Sequence, residues 1–160
     1  MPDLTPMVSA VFAPHLGVAT AEMLSCAGMS ACTRQRMVRQ GSLEVVYRGT
    51  YRLGAVPTTL ESRCIALCLT YPSGFVTGPT GGKLLVVRRM PPPEPIHFSV
   101  PHGLHVEIGD GVVLRQSTSI RPMDVMTRSS GLRLASWPRL TFEIARDVDE
   151  FDHRRSSNNS

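Results

Sequence analysis

Five arginines lie close together in the first third of the chain, in a stretch that contains a single acidic residue. The arginines of residues 29–54 are Arg34, Arg36, Arg39, Arg48 and Arg52. Set against Glu44, they give this stretch a net charge of +4, which equals the formal net charge of the whole chain. A guanidinium group is a planar fork of N–H donors that suits phosphates and guanine edges. The cluster therefore indicates contact with a polyanion, and the alternative is a merely solvated basic helix.

The polar side chains around these arginines are of the kind that read DNA. A helix in the major groove places Arg on guanine edges and phosphates, while Thr and Gln add hydrogen bonds. The predicted DNA-contacting residues are Ser30, Thr33, Arg34, Gln35, Arg36, Arg39, Gln40 and Arg48. Among them, Arg48 lies in a predicted turn, where it would meet phosphate or the minor groove. A protein–protein surface built on the same residues is the alternative.

Three other patterns are reminiscent of catalytic or metal sites but lack the spacing that such sites need. Gly78–Lys83 has one spacer too few for a phosphate-binding P-loop, and Leu84 replaces its Ser or Thr, which favours a turn into a short helix. His97, His102 and His105 have no Cys/His framework around them. The serines form no Gly-x-Ser-x-Gly elbow. The sequence therefore predicts no enzyme, no catalytic residue, no metal site and no cofactor.

The elements that would position the arginines follow a helix-turn-helix pattern. An apolar face at helical spacing predicts a first helix, with Leu4, Met7, Val8, Val11 and Phe12 inward. Thr20 caps a second short helix that closes near Gly28. Ser30 caps a third helix that runs to Gln40, with Gly41 as its left-handed C-terminal residue.

A β-hairpin follows the third helix directly. Leu43, Val45 and Tyr47 alternate with other positions, and Arg48-Gly49 supplies a turn before Thr50, Tyr51 and Leu53. A helix-turn-helix with such a hairpin is the winged variant of the motif. The sequence therefore predicts a winged helix-turn-helix domain over residues 1–54.

The rest of the chain predicts a small mixed α/β domain over 55–147 and a flexible tail over 148–160, so the fold class is α+β. A helix is expected from about Thr59 to Thr70, opened by a capping box of Thr58 and Glu61. It turns Leu60, Cys64, Leu67 and Cys68 inward. Strands are expected in IHFSV, LHVEI, VVLRQ, DVMTR and LRLAS, and a last helix after Trp137-Pro138 turns Leu140, Ile144 and Phe142 inward.

Cysteine usage and hydropathy favour a reduced, cytoplasmic protein. The four cysteines include no CxxC pair, and Cys64 and Cys68 stand four apart on a predicted helix as packing residues. A disulfide or a zinc site is the alternative. No run of about 18 apolar residues predicts a membrane span, and no secretory signal is visible at the N-terminus.

Residues of the predicted winged domain resemble the AbiEi-like antitoxins and related transcriptional regulators. The resemblance is carried by Gly17-Val18-Ala19-Thr20, Leu24, Gly28-Met29-Ser30, Gly41-Ser42-Leu43 and Arg48-Gly49-Thr50-Tyr51. Beyond them, TLESRCIALCL, FVTGPTGGKLL and SWPRLTFEIAR look like the family's later elements. Arg34 departs from the family pattern, which usually has an inward apolar residue there. Some relatives carry a further endonuclease-like domain, so a truncated paralogue is an alternative.

The resemblance implies a bacterial cytosolic protein that binds operator DNA, often repressing its own operon, and that neutralises a toxin resembling nucleotidyltransferases. We therefore expect a DNA-binding regulator or antitoxin with double-stranded DNA as its partner, and a homodimer would fit a palindromic site. The rival hypothesis is a protein-interaction module that binds and neutralises a toxin without touching DNA.

Overall fold

The computed structural model describes residues 6–85, 95–106 and 108–146 of the chain. Its helices are α1 (Pro6–Phe12), α2 (Ala21–Cys26), α3 (Ala31–Arg39), α4 (Leu60–Thr70), α5 (Gly78–Leu84) and α6 (137–146). Its strands are β1 (Val18–Thr20), β2 (Leu43–Tyr47), β3 (Thr50–Leu53), β4 (Phe75–Val76), β5 (Ile96–Pro101), β6 (Val112–Ser117), β7 (Val125–Thr127) and β8 (Arg133–Ala135). The predicted α+β class is confirmed. Leu4 and the predicted tail over 148–160 lie outside the described residues.

The chain divides into two compact units. The first contains the described residues up to Gly74 together with Thr127–Arg133, and the second contains Phe75–Met126 and the described residues from Leu134 onward. The contacts therefore divide the chain after Gly74, whereas the sequence predicts a boundary at Gly54. The reason is α4, which contacts all three strands of the first unit's sheet and so belongs with them.

The first unit is built on a three-stranded antiparallel sheet in the order β1-β3-β2. Helices α1, α2 and α3 pack on one face of this sheet. Their buried core consists of Val8, Phe12, Ala19, Leu24, Met29, Met37 and Leu43. Because successive strand residues point to opposite faces, Thr50 and Arg52 face α4 on the other side, and Thr50 Oγ1 lies 2.7 Å from Thr70 Oγ1.

The ends of α2 and α3 are fixed by short-range hydrogen bonds that the sequence predicts. Thr20 and Ser30 cap the two helices by accepting the N–H groups of Met23 and Thr33. Gly28 and Gly41 follow the helices with φ of +91° and +74°. Each gives the paired backbone hydrogen bonds of a Schellman motif, including Met29 N–H to Leu24 O and Ser42 N–H to Met37 O. The helix ends in the expected helix-turn-helix segment are thus capped by residues of that segment.

Three details of the first unit differ from the sequence expectations. The short strand β1 is unpredicted, because its three residues are held by pairing with β3 rather than by local preference. The capping box of α4 uses Thr59 and Ser62 instead of Thr58 and Glu61, since the helix starts one residue later. Met7 is 66% exposed, although Val8 and Phe12 are buried as expected.

Cys64 and Cys68 are free and buried on α4, in agreement with their predicted packing role. Burial raises the pKa of the Cys68 thiol to about 11 and raises the pKa of Cys64 further. Both thiols therefore remain protonated at neutral pH. The exposed free cysteines of the first unit are Cys26 and Cys32.

The second unit is a five-stranded sheet in the order β6-β5-β4-β8-β7. Strand β4 pairs antiparallel with β5 and parallel with β8, while β5 and β6 are parallel. Four of the expected strands form, but the LHVEI strand does not: residues 104–106 and 108 have no regular structure. The predicted inward position of Phe142 is also wrong, because its side chain is 70% exposed while Leu140 is buried.

A polar cluster holds α6 against this sheet. Arg139 donates to Glu143 Oε1 at 2.9 Å, to Asp124 Oδ2 at 3.1 Å and to Ser117 Oγ at 2.8 Å. Its guanidinium also lies 5.2 Å from the centre of the Phe75 ring. Thr77 Oγ1 donates to the other carboxylate oxygen of Glu143. Arg121 forms a further ion pair with Asp124 at 3.5 Å, so two guanidinium groups meet two carboxylates inside the second unit.

Within the part of the chain that the structure describes, no helix combines the length and the apolar character that crossing a bilayer requires.

Candidate nucleic-acid interface

Helix α3 presents one polar, exposed face to solvent. Met37 is buried against the first unit's core, which fixes the rotation of the helix. The exposed residues then recur at three- and four-residue spacing and comprise Cys32, Gln35, Arg36, Arg39 and Gln40. A single row of this spacing lies along one side of an α-helix. Four of the predicted contact residues are thus brought together on one surface.

Arg34 lies off this row and makes hydrogen bonds within the first unit. Its Nη1 donates to Ser25 Oγ at 2.8 Å and to Met29 O at 2.9 Å. Ser25 belongs to α2 and Met29 to the turn, so the guanidinium links α3 to the residues that precede it. Hydrogen bonds of a charged donor contribute about 1.5–3 kcal/mol when buried and less when exposed. Arg34 therefore stabilises the turn between the two helices.

Ser30 and Thr33 sit at the start of α3, where they serve the helix end. Ser30 Oγ accepts the Thr33 N–H at 3.1 Å and lies 2.9 Å from Thr33 Oγ1. Ser30 is exposed and Thr33 is half-buried. The Ser30 hydroxyl thus satisfies one orphan N–H donor of the first turn, and the Thr33 hydroxyl is hydrogen-bonded to it.

The β2–β3 hairpin carries Arg48 at its turn. Gly49 has φ of +77°, which few other residues adopt, and its carbonyl accepts the Ala21 N–H at 2.8 Å. This bond fastens the hairpin end to the start of α2. Arg48 is exposed, while Arg52 at the hairpin base forms a 2.6 Å ion pair with Glu44.

Charge pairing separates these arginines into two groups. Across the described residues, Arg36, Arg39 and Arg48 form neither an ion pair nor a side-chain hydrogen bond within the chain. Arg34 and Arg52 are both engaged in internal contacts. The excess positive charge of the segment is therefore displayed to solvent by α3 and the hairpin turn.

A groove of about 300 Å³ runs between α3 and the hairpin. It is lined by Gln35, Val38, Arg39, Val45 and Tyr51. Val45 is 56% exposed, which is high for an aliphatic side chain on a strand. Sequence reasoning missed Cys32, Val45 and Tyr51 as members of this surface. The helical spacing of Cys32 with Gln35, Arg36 and Arg39 was the signal that could have placed it there.

The glycine-rich segment and the three histidines lie in the second unit. Gly78–Leu84 is a short helix, in agreement with the prediction of a turn into a short helix at this position. His97 lies on β5, while His102 and His105 are exposed in the residues that follow. In the described ranges, no three His, Cys, Asp or Glu side chains are grouped so that they could hold a metal ion.

Comparisons with known proteins found a similarity in fold but no matching family model. No model of a known protein family matches the chain, and no curated protein sequence matches it significantly. Among solved structures, the chain is similar to the Rv2827c protein from Mycobacterium tuberculosis, with a TM-score of 0.54 and 17% sequence identity. The match covers 83% of this chain and 56% of that protein, so this chain spans little more than half of the relative's length. At this identity the likeness concerns the fold.

Proposed function

We propose that the first unit is a winged helix-turn-helix that binds double-stranded DNA, and that the protein is a transcriptional regulator. The observation that carries the proposal is the exposed row of Gln35, Arg36, Arg39 and Gln40 on α3. A row of donors on an exposed helix is what reading of the major groove requires.

The order of elements supports this proposal. Helix α3 follows α2 across a short turn that is closed by Gly28 and by the two hydrogen bonds of Arg34. The hairpin of β2 and β3 follows α3 directly and is fastened to α2 through Gly49. In this arrangement α3 is the recognition helix and the Arg48 turn is the wing, which reaches the neighbouring phosphates.

The predicted contact residues then divide by role. Gln35, Arg36, Arg39 and Gln40 contact bases or the phosphates that flank them. Arg48 contacts the phosphate backbone. Ser30 and Thr33 shape the start of α3, with Ser30 near enough to the exposed row to meet a phosphate. Arg34 keeps the angle between α2 and α3 and does not contact DNA.

The antitoxin role, repression of its own operon and a nucleotidyltransferase-like toxin partner extend this proposal on the strength of the AbiEi resemblance alone. A homodimer on a palindromic site also extends the proposal, because two recognition helices spaced by one turn of DNA would fit such a site. A reading frame for such a toxin next to this gene, together with co-purification of the two proteins, is the test of the antitoxin role.

Salt-dependent binding of the full chain to a labelled random-sequence duplex tests DNA binding itself. Fluorescence anisotropy between about 50 and 200 mM salt should show a steep fall in affinity, because phosphate contacts release counterions. Arg36→Ala and Arg39→Ala should each reduce the slope of log K against log salt concentration by about 1 where the residue meets phosphate. On a selected operator, loss of a base contact should cost about 1–3 kcal/mol.

Arg146→Ala is the matched control, since Arg146 is an exposed arginine of α6 in the second unit. It should leave the slope unchanged. The absence of measurable duplex binding at low salt would contradict the proposal and favour the protein-interaction module.

A further inference from the structure

The groove between α3 and the hairpin lies on the face of the first unit's sheet that α3 covers. Val45 and Tyr51 are opposite each other in the register of β2 and β3, so both side chains point to the same face. Leu43 lies on that face too, two residues before Val45, and it is buried in one core with Met37 of α3. The hairpin wall of the groove is therefore aliphatic and aromatic.

Helix α3 supplies the opposite wall. Val38 and Arg39 follow Gln35 by three and four residues, so the three side chains lie on one side of the helix. Val38 packs against the core of the first unit, whereas Gln35 and Arg39 are exposed. Across the described residues, the Arg39 guanidinium has no ion pair and no side-chain hydrogen bond. The groove thus places a planar fork of available N–H donors beside apolar side chains.

Val45 is the apolar side chain of the groove that is most open to solvent. It is 56% exposed, while Val38 and Tyr51 are partly buried against the core. Covering an exposed aliphatic surface with another apolar group is favourable in proportion to the area removed from water. A partner that places a small apolar group on Val45 and offers acceptors to Arg39 would therefore use both properties of the groove.

Two neighbouring bases of a DNA duplex have this combination of groups. In the major groove, guanine presents the acceptors N7 and O6, which suit the planar donor fork of arginine. Thymine presents its 5-methyl group there, and aliphatic side chains contact this methyl group. When thymine precedes guanine on one strand, the methyl group lies one base step from the two acceptors. Arg36 and Arg48 are exposed and remain for the flanking phosphates.

We propose that this groove makes the protein selective for duplexes in which a thymine is followed by a guanine. Arg39 donates to N7 and O6 of the guanine, and the thymine methyl group rests on Val45. The inference rests on the proposed DNA-binding function and adds to it the base step that α3 and the hairpin recognise together. Strand β2 thereby takes part in reading the sequence, whereas the hairpin turn contacts phosphate.

Selection of duplexes from a random library by the full chain, followed by base replacement in a selected duplex, tests the proposal. A thymine–guanine step should be enriched in the selected sequences. Replacing that thymine by uracil removes the methyl group alone and should weaken binding about three- to fivefold in fluorescence anisotropy at fixed salt. Uracil at a thymine outside the selected sequence is the control and should have no effect. Selected sequences without this step, or equal binding of the thymine and uracil duplexes, would overturn the proposal.

Methylated cytosine provides a second probe of the same contact. 5-Methylcytosine carries its methyl group at the position that thymine uses, and unmethylated cytosine lacks it. With cytosine in place of thymine at the selected step, methylation of that cytosine should strengthen binding about three- to fivefold. An unchanged affinity on methylation would contradict the methyl contact. Both probes use the unaltered protein, so neither result depends on the folding of a variant.

Substitutions in the groove assign the two contacts to their residues. Val45→Ala should bind the thymine and uracil duplexes with equal affinity, because the methyl group loses its partner. Arg39→Lys keeps the positive charge but lacks the planar fork, so its preference for guanine over adenine at the second base should fall about tenfold. Val113→Ala, at a 37% exposed valine of β6, is the matched control and should discriminate thymine from uracil as the parent protein does. Full discrimination in Val45→Ala would remove Val45 from the contact.

Failure of this inference can be distinguished from failure of the proposed function. Salt-dependent duplex binding without a difference between thymine and uracil would remove the selectivity for the thymine–guanine step and leave DNA binding in place. Absence of duplex binding at low salt would remove both.

Discussion

The arginines of α3 and Arg139 of α6 use the same chemical group in opposite ways. Arg36 and Arg39 are exposed, and no carboxylate within the described residues pairs with them. Arg139 is only 15% exposed on its side chain and touches two carboxylates, Asp124 and Glu143. The positive charges of Arg36 and Arg39 are therefore available to a partner. The positive charge of Arg139 instead forms ion pairs that hold the second unit together.

Mutations of these two kinds of arginine should therefore divide between effects on binding and effects on stability. An exposed guanidinium without a partner contributes little to folding, because water solvates it equally well in the unfolded chain. A guanidinium enclosed with carboxylates stabilises the fold mainly because removing it strands the remaining charges. Variants of the two groups should therefore affect different measurements.

The largest expected effect is that of Arg139→Ala. Its loss leaves the buried Glu143 carboxylate with the hydrogen bond from Thr77 as its one remaining bond among the described residues. Breaking a buried ion pair from one side costs about 3–5 kcal/mol. Urea unfolding followed by the fluorescence of Trp137 reports on the second unit, because Trp137 is the single tryptophan of the chain.

Arg146→Ala on the same helix is the control for this experiment and should change the unfolding free energy by less than about 0.5 kcal/mol. A similarly small change in Arg139→Ala would show that the cluster does not stabilise the second unit. Duplex affinity of the folded protein should be unchanged in both variants, since neither residue belongs to the α3 surface.

The second effect concerns Arg34, which is compared with the exposed Arg36 on the same helix. Arg34→Ala removes the hydrogen bonds to Ser25 and Met29. It should lower the stability of the first unit by about 1 kcal/mol, since the bonds are partly exposed. The measurement is amide hydrogen exchange across α2 and α3.

Arg36→Ala is the matched variant on the same helix, two residues away. It should leave hydrogen exchange unchanged and reduce the salt slope of duplex binding, while Arg34→Ala should leave that slope unchanged. Identical salt slopes for the two variants would remove the distinction between a turn-stabilising arginine and a DNA-contacting one.

Some features of the first unit could be predicted from the sequence alone. Short-range signals predicted the caps at Thr20 and Ser30 and the left-handed glycines after α2 and α3, because each depends on residues within one helical turn. Residue type alone predicted Gln35, Arg36, Arg39 and Gln40 of the exposed row on α3, whereas it missed Cys32. These are the parts of the candidate site that the sequence located.

Long-range contacts decided what the sequence could not show. Strand β1 exists through its pairing with β3, and α4 joins the first unit because it lies on that sheet. Arg34 has the same residue type as Arg36 and Arg39, but its acceptors lie on α2 and in the turn that follows α2. Phe142 follows the apolar pattern of α6 but faces solvent. No local pattern predicts the placement of β1 and α4, because each packs on strands that lie far away in the sequence.

The smallest expected effect is the pH dependence that Asp124 gives to the second unit. The backbone N–H of Arg121 donates to Asp124 Oδ2 at 2.9 Å, and this bond, with the charges of Arg121 and Arg139, holds the pKa of the carboxyl below its usual value. A carboxyl whose pKa is lower in the folded state contributes stability above its unfolded pKa. That contribution is lost as the pH falls through the folded pKa. The stability of the second unit should therefore decline below about pH 4, near the ordinary pKa of Asp.

Urea midpoints from Trp137 fluorescence at a series of pH values between about 2 and 6 measure this decline. Asp124→Asn keeps the side-chain size but cannot titrate, so its midpoints should fall less steeply over the acid range than those of the parent protein. Parallel curves for the two proteins would show that other carboxyl groups account for the acid sensitivity. A shallower curve for the variant would place Asp124 with Arg139 among the residues whose charge serves the fold rather than a partner.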